Sequence, residues 1–457
     1  MNPRSERGAL AGAATPPVSL TVGAAAPAPP AAMPVATPEP EPERAVPAVV
    51  ALIPAHDEEA QIAATIASVQ RQTVSCARII VLADNCTDRT VQVALEAGAE
   101  VYETVGNSAK KAGALNQGFR LLDDGVHAIL QMDADTELTP AFLEETLRDL
   151  EAPDVGGVCA RFIPKPGLGT TVWQRIIVKL QKIEYMRYDS SLSRMKNVSV
   201  LSGTACVYRR DALTGVTEMY AVAALEHVIA ALYGRRELSA AQQSLRDQLA
   251  EPAAGDPRTR SEWFRQRRLA LERHLLALGT TPPVVRRQPW NETSLVEDYR
   301  LTMDVKHLGY RALVGRRTRV YTDVPATLPA LWRQRLRWSG GTFEELERHG
   351  WCRHTRRELL VFLAMALSVF GRLSAITLLV SVGLIAHGEF HWPLYWLIPI
   401  LASIADRTQA IWRHEEGRWH DLLLSVSILP EELFALVREA YTTTAAVLVA
   451  ARRLASW

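Results

Sequence analysis

Residues 49–131 alternate between short apolar segments and amphipathic ones, and this alternation constrains the fold more than any other feature of the chain. The segments predicted as strands are Val49–Ile53, Arg78–Ala83, Glu100–Tyr102 and His127–Gln131. Asp57, Asp88 and Ser108 stand at the starts of the three segments between them, where they are predicted to cap helices. Strands that alternate with helices are typical of a parallel, doubly wound α/β sheet.

Two acidic clusters lie far apart in the chain. Asp133 and Asp135 follow the last of these strands, and Glu297 with Asp298 comes much later. Open α/β sheets bind ligands at the carboxyl ends of their strands, where two carboxylates can hold a divalent metal against a diphosphate. A separate carboxylate can act as a base toward a hydroxyl group. The combination predicts transfer of a sugar from a nucleotide donor.

Polar residues recur at the other predicted strand ends. The segments concerned are PAHDEE at 54–59, ADNCTD at 83–88 and KAGALN at 111–116. Helix capping is a sufficient account of Asp57, Asp88 or Ser108 when each is taken alone. It does not explain why carboxylates and a lysine recur at several strand ends, so a shared binding site is the favoured interpretation.

The ordered set of motifs resembles glycosyltransferase family 2, and most of all its membrane-bound processive branch, which includes cellulose, hyaluronan and poly-N-acetylglucosamine synthases. Further matching segments are DAD at 133–135, SGTACVYRR at 202–210, VED at 296–298 and QRLRW at 334–338. The resemblance implies a GT-A type, doubly wound mixed α/β sheet with a carboxy-terminal helical membrane region. The chain departs from the family's usual pattern at Val296, which replaces a threonine, and at Asn85 and Cys86.

The resemblance also implies roles for individual residues. Those implied to bind the nucleotide sugar are Ala55, His56, Glu58, Asp84, Lys111, Asp133, Gln334 and Arg337. Asp135, together with Asp133, would hold Mg²⁺ or Mn²⁺, and Asp298, beside Glu297, would be the catalytic base. The acceptor would contact Gly203, Thr204 and Trp338. A metal and an arginine stabilise a leaving diphosphate, and a base on the opposite face makes the displacement inverting.

Composition and motifs divide the chain into three parts. Residues 1–45 are rich in alanine and proline and are predicted to be disordered. Residues 46–350 are predicted to form the glycosyltransferase domain, and residues 351–457 a set of membrane-associated helices.

A helical insert at about 217–290 is predicted to interrupt the glycosyltransferase domain. Its two predicted helices are Leu238–Ala250, capped by Ser239, and Glu262–Leu278, capped by Ser261. The insert is interpreted either as a solvated helical hairpin or as a lid or partner-binding element near the acceptor entrance.

The carboxy-terminal part contains two candidate membrane spans, Leu359–Ala386 and the shorter Trp392–Ile404. Arginines flank the pair but are absent from the link between them, which predicts a hairpin in the plasma or inner membrane with the catalytic domain in the cytoplasm. Segments predicted to lie at the membrane surface are Trp173–Met186, Leu422–Leu429 and Leu433–Ala451. A buried helical domain is the alternative for this part of the chain.

Charge and cysteine content narrow the classes of function. The formal net charge is +1, so no global field favours a nucleic-acid partner. The five cysteines form no C-x-x-C pair, which favours reduced thiols over a zinc site or disulfides. A nucleotidyltransferase would need a glycine-rich phosphate loop after the first strand, and residues 54–59 do not form one.

The leading hypothesis is a membrane-associated, metal-dependent, inverting glycosyltransferase that moves a sugar from a UDP-sugar to a growing glycan or a lipid-linked acceptor. The Q-x-x-R-W motif at 334–338 favours repeated addition, as in polysaccharide synthesis. Transfer of a single sugar to a lipid or protein is one alternative. A non-catalytic, nucleotide-sugar-binding assembly component is another, and a homo-oligomer is left open.

Overall fold

The computed structural model describes residues 48–192, 197–248, 256–284, 288–367, 370, 381 and 397–455. The strands are β1 (Val49–Ala55), β2 (Arg78–Ala83), β3 (Glu100–Glu103), β4 (Ala128–Met132), β5 (Thr136–Leu138), β6 (Val155–Pro164), β7 (Ala205–Arg209) and β8 (Arg311–Thr322). The helices are α1 (Ile62–Gln70), α2 (Thr90–Glu96), α3 (Lys110–Arg120), α4 (Phe142–Leu150), α5 (Val172–Leu192), α6 (Arg210–Gln248), α7 (Pro257–Ala277), α8 (Glu297–His307), α9 (Leu328–His349), α10 (Leu397–Arg413), α11 (Trp419–Val426) and α12 (Ile428–Ala455). Residues 356–367 are also helical.

The described strands form one sheet in the order β3-β2-β1-β4-β7-β6-β8-β5. The first four are parallel, and β7 is antiparallel to both of its neighbours, β4 and β6. Strand β8 runs parallel to β6, and the short β5 pairs antiparallel with β8 at the edge. The predicted mixed α/β sheet is therefore confirmed.

Apolar cores lie on both faces of the sheet. Side chains alternate along a strand, so Val50 and Leu52 of β1 enter one core while Val49, Ala51 and Ile53 enter the other. A strand that is buried on both faces needs a continuous apolar run, which is what this segment supplies. Helix α3 covers the first face and α1 the second, as the doubly wound prediction requires.

The loop after β1 differs from prediction. Helix α1 begins at Ile62, and Asp57 lies in the preceding loop with a φ of 55°. The Asp57 carboxylate accepts a hydrogen bond from the Thr87 amide at 2.6 Å, across to the loop after β2. The prediction that Asp57 caps this helix is wrong, because its carboxylate is used to join two loops.

The other two predicted caps have different outcomes. Asp88 accepts a hydrogen bond at 2.9 Å from the amide of Thr90, the first residue of α2, but it lies one residue before the N-cap position, which Arg89 occupies. Ser108 does not cap α3, because Asn107 Oδ1 accepts from the Ala109 amide at 3.0 Å in its place.

The insert starts on a helix that is rooted in the core. Helix α6 is continuous from Arg210, so the predicted helix at 238–250 is the end of a longer helix and Ser239 lies inside it. Buried side chains of its first half, among them Leu213 and Val216, pack in the same core as Tyr208. The spacing of apolar residues in the sequence did not reveal that α6 is one continuous helix, because the first half of this helix is buried on several sides.

The second helix of the insert begins earlier than predicted. Helix α7 starts at Pro257 with Asp256 as its cap, whose side chain accepts from the Arg258 amide, and Ser261 lies one turn inside. Helices α6 and α7 pack against each other through buried apolar side chains, with an ion pair between Arg267 and Glu226. The insert is therefore a packed helical hairpin over its described residues.

The two predicted membrane spans lie partly outside the described residues, at 368–369, 371–380 and 382–386 of the first and 392–396 of the second. Two described segments, Arg210–Leu232 and Leu429–Arg452, are long and apolar enough to cross a membrane by length and composition alone. The first belongs to α6, whose apolar residues serve the protein core. The second belongs to α12, which packs on α9 by one face, where Tyr441 and Ala445 are buried.

Candidate active site

A cavity of about 680 Å³ opens at the carboxyl ends of β1, β2 and β4. These strands are parallel neighbours, so the residues that follow them meet at one edge of the sheet. The cavity is lined by Pro54, Ala55, His56, Glu58, Asp84, Asn85, Asn107, Ser108, Lys110, Lys111, Asp133, Ala134 and Asp135. Most residues predicted to bind the donor or the metal are among them, whereas Gln334 and Arg337 lie on α9.

The backbone around this cavity adopts uncommon conformations. Among the described residues, the non-glycine residues with positive φ are Asp57 at 55°, Asn85 at 52° and Lys110 at 51°. Asp57 and Asn85 lie in the loops that follow β1 and β2, and Lys110 is the first residue of α3. Such conformations cost on the order of 1 kcal/mol each and concentrate at functional sites, so their position here agrees with a binding role for this edge.

Asp84 is held rigidly after β2. Its Oδ1 accepts hydrogen bonds from Asn85 Nδ2 at 2.9 Å, Thr104 Oγ1 at 2.7 Å and Asn107 Nδ2 at 2.8 Å. His56 Nδ1 lies 2.6 Å from the Asp84 carbonyl oxygen, and this bond raises the pKa of the histidine. Sequence reasoning missed Asn107, although an asparagine just after a predicted strand follows the same rule as the other site residues.

Lys111 lies at the centre of the site. Its Nζ donates to the Asp133 carboxylate and to the Gly203 carbonyl at 3.1 Å, and it lies 3.8 Å from Glu297 Oε1. Burial disfavours the charged amine, but the carboxylates of Asp133 and Glu297 outweigh it and raise the pKa of Lys111. Strands β4 and β7 are paired beside it, so the Asp133 amide donates to the Thr204 carbonyl at 3.0 Å.

Glu297 and Asp298 lie in the first turn of α8. The helix dipole favours carboxylates at this end. Asp298 Oδ2 accepts from the Gly203 amide at 3.1 Å, and Oδ1 accepts from the Tyr299 amide at 2.7 Å. Burial raises the pKa of Glu297, although Lys111 opposes the shift. The structure thus places both predicted catalytic carboxylates beside the loop that contains Gly203 and leads into β7, called the Gly203 loop below.

A second group of carboxylates surrounds Asp135. Burial, followed by the charge of Asp133, raises the pKa of Asp135 to about 6. Burial, followed by the charges of Asp135 and Asp323, raises the pKa of Glu58 to about 7. Carboxylates that crowd in this way repel one another, and a divalent cation with oxygen ligands would relieve the repulsion.

Asp323 is a site residue that sequence reasoning missed. It follows β8, and Thr322 pairs with Thr136 across the β5–β8 ladder, so Asp323 comes opposite Asp135 at the end of that ladder. Gln61 Nε2 donates to Asp323 Oδ2 at 2.8 Å, and Lys165 Nζ lies 3.8 Å from Oδ1. A carboxylate directly after a strand was the available signal, but 178 residues of chain separate the end of β4 from the start of β8.

A separate group, Asp57, Cys86 and Asp88, has its potential ligand atoms within 4.8 Å of one another. The Asp57 carboxylate accepts from the Thr87 amide, and the Asp88 carboxylate accepts from the Glu59 amide at 3.0 Å. These carboxylates tie the loops after β1 and β2 to each other, and this accounts for their closeness.

The Q-x-x-R-W segment lies on α9, where Gln334, Arg337, Trp338 and Gly341 share one face of the helix. A Cβ built on Gly341 would lie 2.8 Å from Val296 Cγ1, so this face crosses the chain just before α8. Arg337 is exposed and donates weakly to the Leu295 carbonyl at 3.4 Å. This helix face is therefore directed toward the segment that carries Asp298.

Two details of this helix face bear on the predicted contacts. The Arg335 guanidinium lies 4.8 Å from the Trp338 ring centre, so it covers one face of that ring. Gln334 Oε1 is buried and has no hydrogen-bond partner among the described residues. The predicted stacking of an acceptor sugar on Trp338 can therefore use only the other face of the ring.

Comparison with known proteins agrees with this geometry. The family described as Glycosyl transferase family 2 matches residues 50–216. The matched part contains strands β1 to β7 and the cavity-lining residues. No curated protein sequence matches the chain.

Several solved structures are similar to the chain. A mannosyltransferase from Pyrobaculum calidifontis, in complex with GDP-Man and Mn²⁺, has 14% identity over 88% of this chain and 87% of that chain, with a TM-score of 0.49. Glucosyl-3-phosphoglycerate synthase from Mycobacterium tuberculosis, in complex with Mn²⁺, UDP and phosphoglyceric acid, has 21% identity with a TM-score of 0.26. In that second case the similarity covers 37% of this chain and 58% of that chain.

The mixed sheet, the site at its carboxyl edge and the family match define the class of protein: this chain is a glycosyltransferase with a GT-A type fold. Residues 50–216 form its glycosyltransferase family 2 domain. The predicted enzyme class and fold class are confirmed at this level. Membership of the processive, membrane-bound branch is a more specific assignment than these observations give.

Proposed function

We propose that this protein is an inverting, metal-dependent glycosyltransferase that transfers a sugar from a UDP-sugar to a growing glycan or a lipid-linked acceptor at the cytoplasmic face of a membrane. One observation carries the proposal. The Gly203 loop has Lys111 and Asp133 on one side and Asp298 on the other. Donor-side charges and a base thus meet at a single loop, although they are distant in sequence.

The donor fits the cavity at the ends of β1, β2 and β4. Ala55, His56 and Asp84 form its nucleoside end, where the fixed Asp84 carboxylate can accept from a base edge. Lys111 lies between this end and the Asp298 side, and can turn from Asp133 to a phosphate oxygen. The preference for uridine rests on the family resemblance.

Asp135, Asp133 and Asp323 suit Mg²⁺ or Mn²⁺, because hard divalent cations take carboxylate oxygens. Burial, followed by the charge of Asp133, raises the pKa of Asp135 to about 6, so both the desolvation and the neighbouring carboxylate disfavour its charged form in the protein alone. When bound, the cation would neutralise charge that develops on the leaving diphosphate. Thr136 and Thr322 hydroxyls donate to Asp135 at 3.2 and 3.4 Å and orient its carboxylate.

Asp298 is the base. The Gly203 and Tyr299 amides each donate to one of its oxygens, which fixes the carboxylate plane. An acceptor hydroxyl beside it loses its proton as the oxygen attacks the anomeric carbon and the bond to the diphosphate breaks on the opposite face. Glu297, whose pKa is raised by burial, lies against Lys111 and sets the charge of that lysine.

The carboxy-terminal helices supply a membrane-facing surface. Tryptophans with more than two thirds of their surface exposed are Trp173, Trp351, Trp412 and Trp419. On α12 the exposed residues Leu429, Leu433, Leu436 and Val447 form one stripe along the helix. Tryptophans beside an apolar stripe are typical of a membrane interface, and a membrane would bring the site near a lipid-linked acceptor.

Transfer of a single sugar is the second candidate. Among the described residues, one apolar helix outside the catalytic core is long enough to cross a membrane, namely the segment Leu429–Arg452. A chain that exports its own polymer needs a channel, and a single described helix does not build one. This observation favours a short product, whereas the Q-x-x-R-W segment favours a long one.

The decisive experiment measures release of the nucleoside diphosphate, UDP or GDP, by the full chain, purified in detergent, with a panel of UDP-sugars and with GDP-mannose, in Mn²⁺, Mg²⁺ or EDTA. Asp298→Asn is the matched variant, and glycans or glycolipids formed are sized by mass spectrometry. We expect one UDP-sugar to give metal-dependent release that the variant lacks. Release from GDP-mannose alone, or equal release by the variant, would reject the donor or the base assignment respectively.

A further inference from the structure

A buried glutamine lies directly beneath the Gly203 loop. Gln131 belongs to β4, two residues before Asp133, and its side chain is fully buried. Its Oε1 accepts a hydrogen bond from Trp290 Nε1 at 2.9 Å, whereas its Nε2 has no hydrogen-bond partner among the described residues. A buried amide nitrogen without a partner is uncommon in a protein interior and calls for an explanation.

Trp290 holds this glutamine from the far end of the helical insert. The indole is buried and packs edge-on to Phe119, with ring centres 6.0 Å apart. Its backbone is fixed as well, because Asn116 Nδ2 donates to the Trp290 carbonyl at 2.8 Å and Asn116 Oδ1 accepts from the Trp290 amide at 3.1 Å. With Oε1 fixed in this way, the orientation of the Gln131 Nε2 is also fixed.

The unpartnered Nε2 lies close to Gly203. A Cβ built on Gly203 would lie 3.2 Å from Gln131 Nε2 and 2.8 Å from Lys111 Nζ. The two nitrogens therefore approach the same residue, yet only Lys111 donates to the Gly203 carbonyl. Any side chain at position 203 would displace one of these donors.

We propose that Gln131, fixed by Trp290, is a positioning residue that takes over the Gly203 carbonyl when Lys111 turns toward the bound donor. This inference rests on the proposed function. Lys111 can reach a phosphate oxygen only by giving up part of its present set of Asp133, Gly203 and Glu297. A buried carbonyl left without a donor is unfavourable, and the nearby unpartnered amide is placed to satisfy it.

The consequence for catalysis passes through the same glycine. The Gly203 amide orients the Asp298 carboxylate, so a loop that shifts on donor binding would misplace the base. Misplacement by about 1 Å can cost about a hundredfold in rate. Gln131 holds the Gly203 loop in place. Trp290, at the end of the insert, holds Gln131, so the insert contributes to the active site.

A glutamine that only stabilises the fold would respond to substitution differently from one that positions the Gly203 loop. Gln131→Met alone would leave the buried Trp290 indole N–H without its acceptor, so the test variant combines it with Trp290→Phe. Removing both partners of that bond, together with the unpartnered Nε2, should leave the melting temperature about equal. Gln72→Met is the matched control. Gln72 is also buried, but its amide donates to the Ser68 and Thr139 carbonyls at 3.0 and 2.8 Å and accepts from the Leu143 amide.

The test compares the full chain in detergent with the double variant Gln131→Met/Trp290→Phe, with Trp290→Phe alone and with Gln72→Met by melting temperature, turnover and donor KM. We expect the double variant to lose about tenfold in kcat at unchanged KM and unchanged stability. Trp290→Phe alone keeps the Gln131 amide and should lose less, and Gln72→Met should melt lower and keep its kcat. A double variant with wild-type kcat, or with kcat and stability falling together, overturns the proposal.

Hydrogen exchange of the peptide 201–205 gives a readout that needs no turnover. In the wild type, UDP with Mn²⁺ should leave this loop as protected as before or more so, and in the double variant the same addition should speed its exchange. Equal behaviour of the two proteins with UDP bound overturns the role of Gln131. Failure of UDP to bind the wild type would instead reject the proposed function.

Discussion

The Gly203 amide donates to Asp298 Oδ2 over 3.1 Å, and this bond joins the loop before β7 to the first turn of α8 across 95 positions of chain. It matters because the same glycine accepts from Lys111 through its carbonyl. The charge that would meet the donor and the carboxylate that would meet the acceptor are thus coupled through one peptide unit.

Replacing Asp298 with asparagine should abolish transfer while UDP still binds. The amide keeps the shape of the side chain but cannot take a proton, and a general base contributes about 10²–10⁴ in rate. Turnover and UDP affinity by calorimetry test this, with Asp124→Asn as the control because Asp124 is exposed and remote from the cavity. A loss of UDP affinity in Asp298→Asn would contradict the assignment.

Removing the carboxylate of Asp135 should weaken metal-dependent donor binding. Asp135→Ala is expected to raise the Kd for Mn²⁺, measured by electron paramagnetic resonance, by about tenfold or more. Asp323→Asn should raise it less, since Lys165 already offsets part of the charge of Asp323 and Gln61 donates a hydrogen bond to its other oxygen. Unchanged Mn²⁺ affinity and unchanged metal-stimulated turnover in Asp135→Ala would count against the site.

The metal-free protein should lose stability as the pH rises from about 4.5 to about 7. The pKa of Glu58 is raised from 4.5 to about 7 and that of Asp135 from 3.8 to about 6, so in this window the folded protein holds protons that the unfolded chain has released. The free energy of unfolding then falls with rising pH.

Melting temperatures over this pH range check the prediction, with EDTA and then with Mn²⁺. Because metal ligands must be deprotonated, Mn²⁺ should stabilise more at the upper end of the range. Glu58→Gln should flatten the metal-free profile. A profile that rises with pH in EDTA would mean that these carboxylates are not held protonated by the fold.

Two arginines on α9 should differ in what they support. Arg335 is buried against Glu184 at 2.8 Å and the Tyr185 hydroxyl at 3.2 Å, whereas Arg337 is exposed. Arg335→Met leaves the Glu184 charge without this partner and should cost about 3 kcal/mol of unfolding free energy. Arg337→Met should leave stability unchanged and lower turnover. Denaturant unfolding and enzyme kinetics of both variants test this difference. Equal changes in stability and in turnover for the two variants would contradict it.

Membrane association should depend on the exposed tryptophans. Trp412 and Trp419 are exposed near the ends of α10 and α11, and Trp412→Ser with Trp419→Ser should reduce co-flotation of the protein with anionic lipid vesicles. Leu95→Ser is the control, because Leu95 is an exposed apolar residue on helix α2, outside the carboxy-terminal helices. Undiminished flotation of the double variant would argue against this surface.

The sequence by itself determined the strand segments from Val49 to Met132 and the carboxylates that follow them. A strand buried on both faces is a short apolar run, and such a run is visible without any tertiary information. The rule that ligands meet the carboxyl ends of parallel strands then indicated the polar segments at this edge, and the family resemblance singled out His56, Asp84, Lys111 and Asp133 within them. The first of these inferences needed only local patterns and one general property of sheets.

Only the tertiary structure decided which distant residues share the site. Asp323 reaches Asp135 because β8 pairs with β5, and Trp290 reaches Gln131 because the insert returns to the core. The continuity of α6, the true cap of α7 and the loop-joining role of Asp57 were likewise decided there. The physical reason is that cross-strand register and buried hydrogen bonds between remote residues leave no periodic signal in the sequence, whereas strand burial does.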